Sequence, residues 1–167
     1  LVNTSIYEMI SFARQYGVAT EIICNGSMLD EKSINHLIKN KLAKLTISID
    51  GATKEVFEKI RVKSDFNTVI ENARAFKKSI SSNIIRPQFS AWSTIQKDNL
   101  GEIEKIAELC KSIGFDDITF QVFLSGWGKD EWEKINNNKN INVEEVNIKK
   151  RFENIIKRYS SKTYTLT

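Results

Sequence analysis

The segment LTISID, Leu45 to Asp50, alternates apolar and polar side chains with the two-residue period of a β-strand. Leu45, Ile47 and Ile49 share one face; Thr46, Ser48 and Asp50 share the other. Two later segments divide in the same way. Gln88, Ser90, Trp92 and Thr94 oppose Phe89, Ala91 and Ile95, and Thr119, Gln121 and Phe123 oppose Ile118, Phe120 and Val122. Helical patterns separate these segments, so the strands are expected to pair in parallel through right-handed crossovers. In a sheet covered by helices on both faces the central strands would be almost continuously apolar. Here one face of each strand is polar. That division predicts an α/β fold in which a parallel (β/α) sheet of about four strands curves as an open or closed barrel, with helices outside and a wet or ligand-filled interior. Asp50 then looks inward at the carboxyl end of its strand, where parallel α/β folds bind ligands.

The remaining elements follow from periodicity and caps. Ile6, Met9, Ile10 and Ala13 recur at helical spacing up to Gly17, and TEIICNG, Thr20 to Gly26, reads as a strand closed by an Asn-Gly turn. Asp30 is positioned to cap the next helix. A short helix is expected around Val56, Phe57 and Ile60, and a longer one carries Phe66, Val69, Ile70 and Ala73. Asn99 and Glu102 have the spacing of a capping box before a helix with Ile103, Ile106, Cys110 and Ile113, which Gly114 ends. The stretch from Leu124 to Ile141, rich in Gly, Asn and charge, is expected to be a long loop. Asn142 and Glu145 would cap a last helix. No repeat or low-complexity linker interrupts the pattern, so residues 1–167 are expected to form a single domain.

The 25 basic and 21 acidic side chains give a formal net charge of +4, too small and too interspersed to point to nucleic acid or a membrane surface. Two cysteines, Cys24 and Cys110, lack the close-spaced partners of a disulfide framework or metal site, so a reducing, cytoplasmic setting is expected and no metal ligand is assigned. No apolar run is long enough for a transmembrane helix.

The order CNG (Cys24 to Gly26), SIDG (Ser48 to Gly51), Arg61 and KDN (ending at Asn99) resembles the later part of the partial barrel of radical S-adenosylmethionine enzymes, from Ile6 to about Phe123. The three-cysteine loop and the Gly-Gly-Glu-Pro segment of that family are absent. The opening LVN is similar to the residues that follow Gly-Gly-Glu-Pro, which places the first two strands and the cluster loop upstream of Leu1. The resemblance implies a parent that holds a [4Fe–4S] cluster and S-adenosylmethionine and generates a 5′-deoxyadenosyl radical to modify a peptide or small metabolite. This chain would supply part of the cofactor and substrate pocket. By itself it is expected to bind neither cofactor and to be inactive. Ser48 would hydrogen-bond the methionine or ribose part of the cofactor and Arg61 would meet its carboxylate. Asp50 would accept from a ribose hydroxyl or a substrate, Leu124 would pack on the adenine, and Asn25 would shape the nearby loop. Catalytic residues are not assigned.

Without the resemblance the same residues have plainer readings. Asp50 is a turn residue or helix cap, Asn25 a turn residue, Arg61 a solvated side chain, Trp92 core, Cys110 buried filler and His36 surface. The segment with Trp127 and Trp132 either covers a substrate or leads to a further domain. The alternative function is a non-catalytic barrel piece acting as a scaffold or partner-binding module. An α/β enzyme for phosphorylated ligands is a third reading, disfavoured by the lack of a Gly-rich phosphate loop. The strand Glu21 to Cys24 would lose its neighbour if strands lie upstream, and self-association through that edge is expected.

Overall fold

The computed structural model describes residues 3, 5–82, 86–122, 124, 129–141 and 147–159, and the backbone of 165–166. Helices and strands alternate as α1 (Ile6–Gln15), β1 (Glu21–Cys24), α2 (Glu31–Lys39), β2 (Lys44–Ser48), α3 (Lys54–Ile60), α4 (Phe66–Ile80), β3 (Gln88–Thr94), a 3₁₀ turn (Leu100–Glu102), α5 (Ile103–Ile113), β4 (Asp117–Gln121), α6 (Asp130–Lys139), α7 (Ile148–Tyr159) and β5 (Thr165–Leu166). The strands form one sheet in sequential order, and every pair is parallel. The expected α/β fold with about four strands is what the chain adopts, β5 adding a two-residue edge. None of the described helices is long and apolar enough to cross a membrane.

The two faces of the sheet are treated differently. Leu45, Ile47, Ile49, Phe89, Ala91, Ile95 and Ile118 are buried on the helix-covered side, in one cluster with Val69, Ala73, Phe76, Ile106 and Cys110. Phe89 packs between Phe76 and Phe115, with ring centroids at 5.0 and 4.1 Å. The opposite side carries the polar row. At its base, Thr46 donates its hydroxyl to Glu21 Oε1 (2.9 Å) and Ser90 donates to Asp117 Oδ2 (2.7 Å). Nearer the carboxyl ends, Trp92, Thr94, Thr119 and Gln121 are only half-buried. The interior is thus closed at the bottom by its own hydrogen bonds and opens at the top.

Local chemistry sets the helix boundaries. Asp30 and Asp65 accept the backbone N–H of Ser33 and Thr68 at 2.7 Å each, the N-cap bond that satisfies an otherwise orphaned donor. The same bonds draw both carboxyls below their ordinary range. Gly114 ends α5 with φ +94°, a left-handed value that favours glycine.

Two expectations are corrected. Residues 130–139, within the stretch read as loop, form α6. It buries no side chain, so it has no apolar stripe to betray it; Asp130, Glu131 and Glu133 in its first turn and Lys139 in its last favour the helix dipole instead. Trp127 lies outside the described residues. Asn99 and Glu102 are also not a capping box, because neither side chain caps its own helix. Both reach across to the end of β2. Asn142 and Glu145 fall outside the described residues, as does Phe123.

Candidate functional site

The site is built where β2 ends. Past Ser48 the chain stays beside β3 for one more residue, with Ile49 N–H donating to Trp92 O (2.8 Å). Asp50 then turns a carboxylate only 2% exposed toward the strand ends. Its Oδ1 accepts from Thr94 N–H (2.7 Å) and its Oδ2 from Arg61 Nε (2.6 Å). Arg61 is delivered by the short helix α3, which it terminates.

That helix starts close to the strand because Gly51 lets it. A Cβ on residue 51 would lie 2.5 Å from the backbone nitrogen of Phe57, an approach that backbone cannot yield to cheaply. Glu102 then secures the entry to α3. Its carboxylate accepts from Ala52 N–H (2.8 Å), Thr53 N–H (3.3 Å) and the Thr53 hydroxyl (2.7 Å). Asn99, fully buried, ties β2 to β3: its Nδ2 donates to Asp50 O and Thr94 O, both at 2.9 Å, and its Oδ1 accepts from Gln96 N–H (2.8 Å). Without Asn99, the Asp50 carbonyl and the Gln96 N–H would be buried groups lacking these partners.

The result is an anchored cation with an open side. Arg61 uses Nε on Asp50, and its two terminal nitrogens have no partner among the described residues. Its side chain is 29% exposed. Ser48 lies two residues before Asp50 on the same face, and its hydroxyl bonds to nothing among the described residues. A guanidinium held this way presents a planar pair of donors suited to a carboxylate, and the hydroxyl at the end of β2 can donate or accept. The register places Ser48, Trp92 and Thr119 in one row across the sheet and Thr94 and Gln121 in the next. Trp92 donates from Nε1 to Gln121 Oε1 (3.2 Å), which fixes the indole on the polar side.

The structure therefore brings Ser48, Asp50 and Arg61 to one strand end. Leu124 sits three residues past β4, where Asn140 grips its backbone. Leu124 N–H donates to Asn140 Oδ1 (2.8 Å), and Asn140 Nδ2 donates to Leu124 O (3.1 Å). Asn25 is in the turn after β1, and its Oδ1 accepts from Ser27 N–H (3.1 Å). His36 stacks on Tyr7 at 4.7 Å. Sequence reasoning missed the tertiary parts of Asn99, Glu102 and Asn140. The Asn-x-x-Glu spacing singled out the first two with the wrong partner, and nothing local marks the third.

No protein-family model matches the chain. Among curated proteins, it is 23% identical over 134 residues to the mycofactocin maturase MftC of Mycobacterium ulcerans, covering 80% of this chain and 35% of that protein. It is 25% identical over 125 residues to the AdoMet-dependent heme synthase of Methanosarcina barkeri, covering 74% of this chain and 34% of that one. The chain's homologues are radical S-adenosylmethionine enzymes. Among solved structures, Streptococcus suis SuiB bound to S-adenosylmethionine superposes with a TM-score of 0.74 at 11% identity, over 98% of this chain and 36% of SuiB. At that identity the likeness shows a shared fold. The chain spans about a third of the length of these proteins.

The two groups implied by radical S-adenosylmethionine chemistry fit this chain differently. An iron–sulfur cluster is held by thiolates. The chain has two cysteines, Cys24 at the end of β1 and Cys110 inside α5, and burial pushes both thiols up in pKa, away from the thiolate form. Among the described residues no group of three His, Cys, Asp or Glu is placed to hold a metal. These residues do not fit a cluster. At the end of β2, Arg61 and Ser48 offer donors with no partner among the described residues, a chemistry that suits the amino-acid end of S-adenosylmethionine.

Proposed function

We propose that this chain is the part of a radical S-adenosylmethionine enzyme that holds and orients the cofactor, and that the parent modifies a peptide or a small metabolite. The observation that carries the reading is the buried Asp50, which anchors Arg61 by Nε and leaves its terminal nitrogens without a partner among the described residues, with Ser48 two positions earlier on the same strand face. In this reading Arg61 meets the cofactor's carboxylate and Ser48 hydrogen-bonds its methionine or ribose part. Asp50 acts mainly through Arg61, since its own oxygens are already engaged. Leu124, held by Asn140, packs on the adenine, and Asn25 shapes the loop beyond β1. The cofactor, bound at a cluster whose thiolates come from outside this chain, supplies the radical chemistry.

The breadth of the relatives supports the substrate class. One is a maturase, one a heme synthase, and SuiB has also been solved bound to its precursor peptide SuiA. A soluble, cytoplasmic setting accompanies the proposal.

Removing one hydrogen bond to a charged group costs roughly 1.5–3 kcal/mol, about ten- to a hundredfold in affinity. Ser48→Ala and Arg61→Ala in the cluster-bearing parent are each expected to weaken S-adenosylmethionine binding by that factor in calorimetry, with bound iron unchanged. Affinity equal to the parent's in both variants would leave the scaffold reading standing.

A further inference from the structure

Helix α3 carries Arg61 and has little of its own to hold it in place. Its seven residues make about two turns, and isolated helices shorter than roughly 12 residues are marginal in water. Only Phe57 is fully buried, against Phe66 at 5.5 Å between ring centroids. The two ends of the helix are fixed instead by the segment that joins β3 to α5. At the entry, Glu102 takes the Ala52 and Thr53 N–H groups and the Thr53 hydroxyl. At the exit, Asp98 Oδ1 stands 2.7 Å from Lys59 Nζ, two residues before Arg61. Between them, Asn99 donates to Asp50 O, where the chain leaves β2.

These holds are unequal. Lys59 is 66% exposed, and a solvated ion pair contributes little. Glu102 is 8% exposed, so the bonds it accepts replace water that its carboxylate has lost. It also belongs to a different part of the chain from the residues it binds, so it ties α3 to the frame of the sheet. Arg61 follows α3 at the far end. If the helix pivots on buried Phe57, four residues and about 6 Å from Arg61, a tilt of roughly 10° moves the arginine by about 1 Å. Binding sites lose their productive geometry at about half that displacement.

We propose that Glu102 is a positioning residue for Arg61. It makes no hydrogen bond to the guanidinium; it fixes the entry of α3, and the helix carries that placement to the arginine. Asp50 draws in Nε, while Glu102 sets the angle from which the side chain arrives, so the terminal nitrogens keep one direction. Its effect on S-adenosylmethionine rests on the proposed function, whereas its hold on Arg61 does not. A positioning residue cannot cost more than the contact it positions. Glu102→Ala is therefore expected to weaken cofactor binding by roughly threefold to tenfold, below the loss from Arg61→Ala. Glu102→Gln keeps an acceptor for the two N–H groups and can donate to the Thr53 hydroxyl, so it should stay within about twofold.

Two measurements on the cluster-bearing parent test this. Without cofactor, Glu102→Ala should speed hydrogen exchange of the Arg61 Nε–H severalfold, while Arg86, paired with Asp116 at the opposite end of the sheet, keeps its guanidinium signals unchanged. With S-adenosylmethionine, calorimetry should give the losses above with bound iron unchanged, and Glu102→Ala should cost nothing further in an Arg61→Ala background. Thr53→Ala removes one of the three bonds and leaves the backbone groups in place, so it should change both readings in the same sense even if Glu102→Ala folds poorly. Unchanged Nε–H exchange in both variants overturns the proposal, whatever the cofactor does. So does an equal loss of affinity with and without Arg61, which is what general destabilisation gives. Faster exchange, in a parent whose Arg61→Ala variant binds S-adenosylmethionine normally, upholds the hold of Glu102 on Arg61 and overturns the proposed function instead.

Discussion

Asp50→Ala is expected to be among the most damaging single substitutions in the chain, lowering stability by about 3 kcal/mol and the melting temperature by roughly 10 °C. The loss has two sources. Thr94 N–H keeps its place between strands but loses its acceptor, and Arg61 loses the carboxylate that draws its Nε inward. Because Arg61 is partly exposed, water recovers some of its charge solvation, which holds the estimate at the lower end of the range for breaking buried pairs. Thermal unfolding followed by circular dichroism measures the shift. A change of less than about 0.5 kcal/mol, typical of surface positions, would mean that the carboxylate is not the hub of the strand end.

Asn99→Ala should be comparably severe, at about 3 kcal/mol, since it strands three buried backbone groups at once: Asp50 O, Thr94 O and Gln96 N–H. Asn99→Asp gives no rescue, because it replaces a donor with a charge facing two carbonyl oxygens. The two sites share Thr94 and the Asp50 main chain, so their effects should not add. In the Asp50→Ala, Asn99→Ala double variant the total loss is expected to fall short of the sum by roughly 1 kcal/mol or more. Strict additivity in denaturant unfolding would show that the two side chains act separately.

The sheet was legible from residues alone because a strand's two faces are written at period two. Thr46, Ser48 and Asp50 against Leu45, Ile47 and Ile49 mark one polar and one apolar face; the structure buries both, the apolar one under helices and the polar one with hydrogen bonds at Thr46 and Asp50. The end of β2 was legible in part. Ser48, Asp50 and Arg61 were each picked out, but the contact between Asp50 and Arg61 was not, because eleven positions of separation carry no pairing signal without the path of α3. Asn99 and Glu102 show how a local motif misleads. Their spacing satisfies the capping-box rule, yet the partners that gain most from them are buried groups on another strand and helix entry, about fifty positions away. Helix α6 was illegible for a different reason. It buries nothing, so only its terminal charges favour it, and Gly- and Asn-rich sequence around it reads as loop. The facing of the β1 backbone was not legible. Only the hydrogen bond from Lys44 to Thr20 decides that Ile23, rather than Ile22, offers its backbone outward.

We propose that Asp50 holds Arg61 so that its terminal nitrogens can meet the cofactor. Nitrogen-detected spectra of the Arg61 guanidinium in the cluster-bearing parent, recorded before and after adding S-adenosylmethionine, test it most directly. The Nε–H signal should be slow to exchange in both states, reflecting the bond to Asp50, while the terminal N–H signals should shift and slow only when the cofactor is present. Terminal signals that S-adenosylmethionine leaves unchanged at saturation would contradict the account and place the cofactor's carboxylate elsewhere.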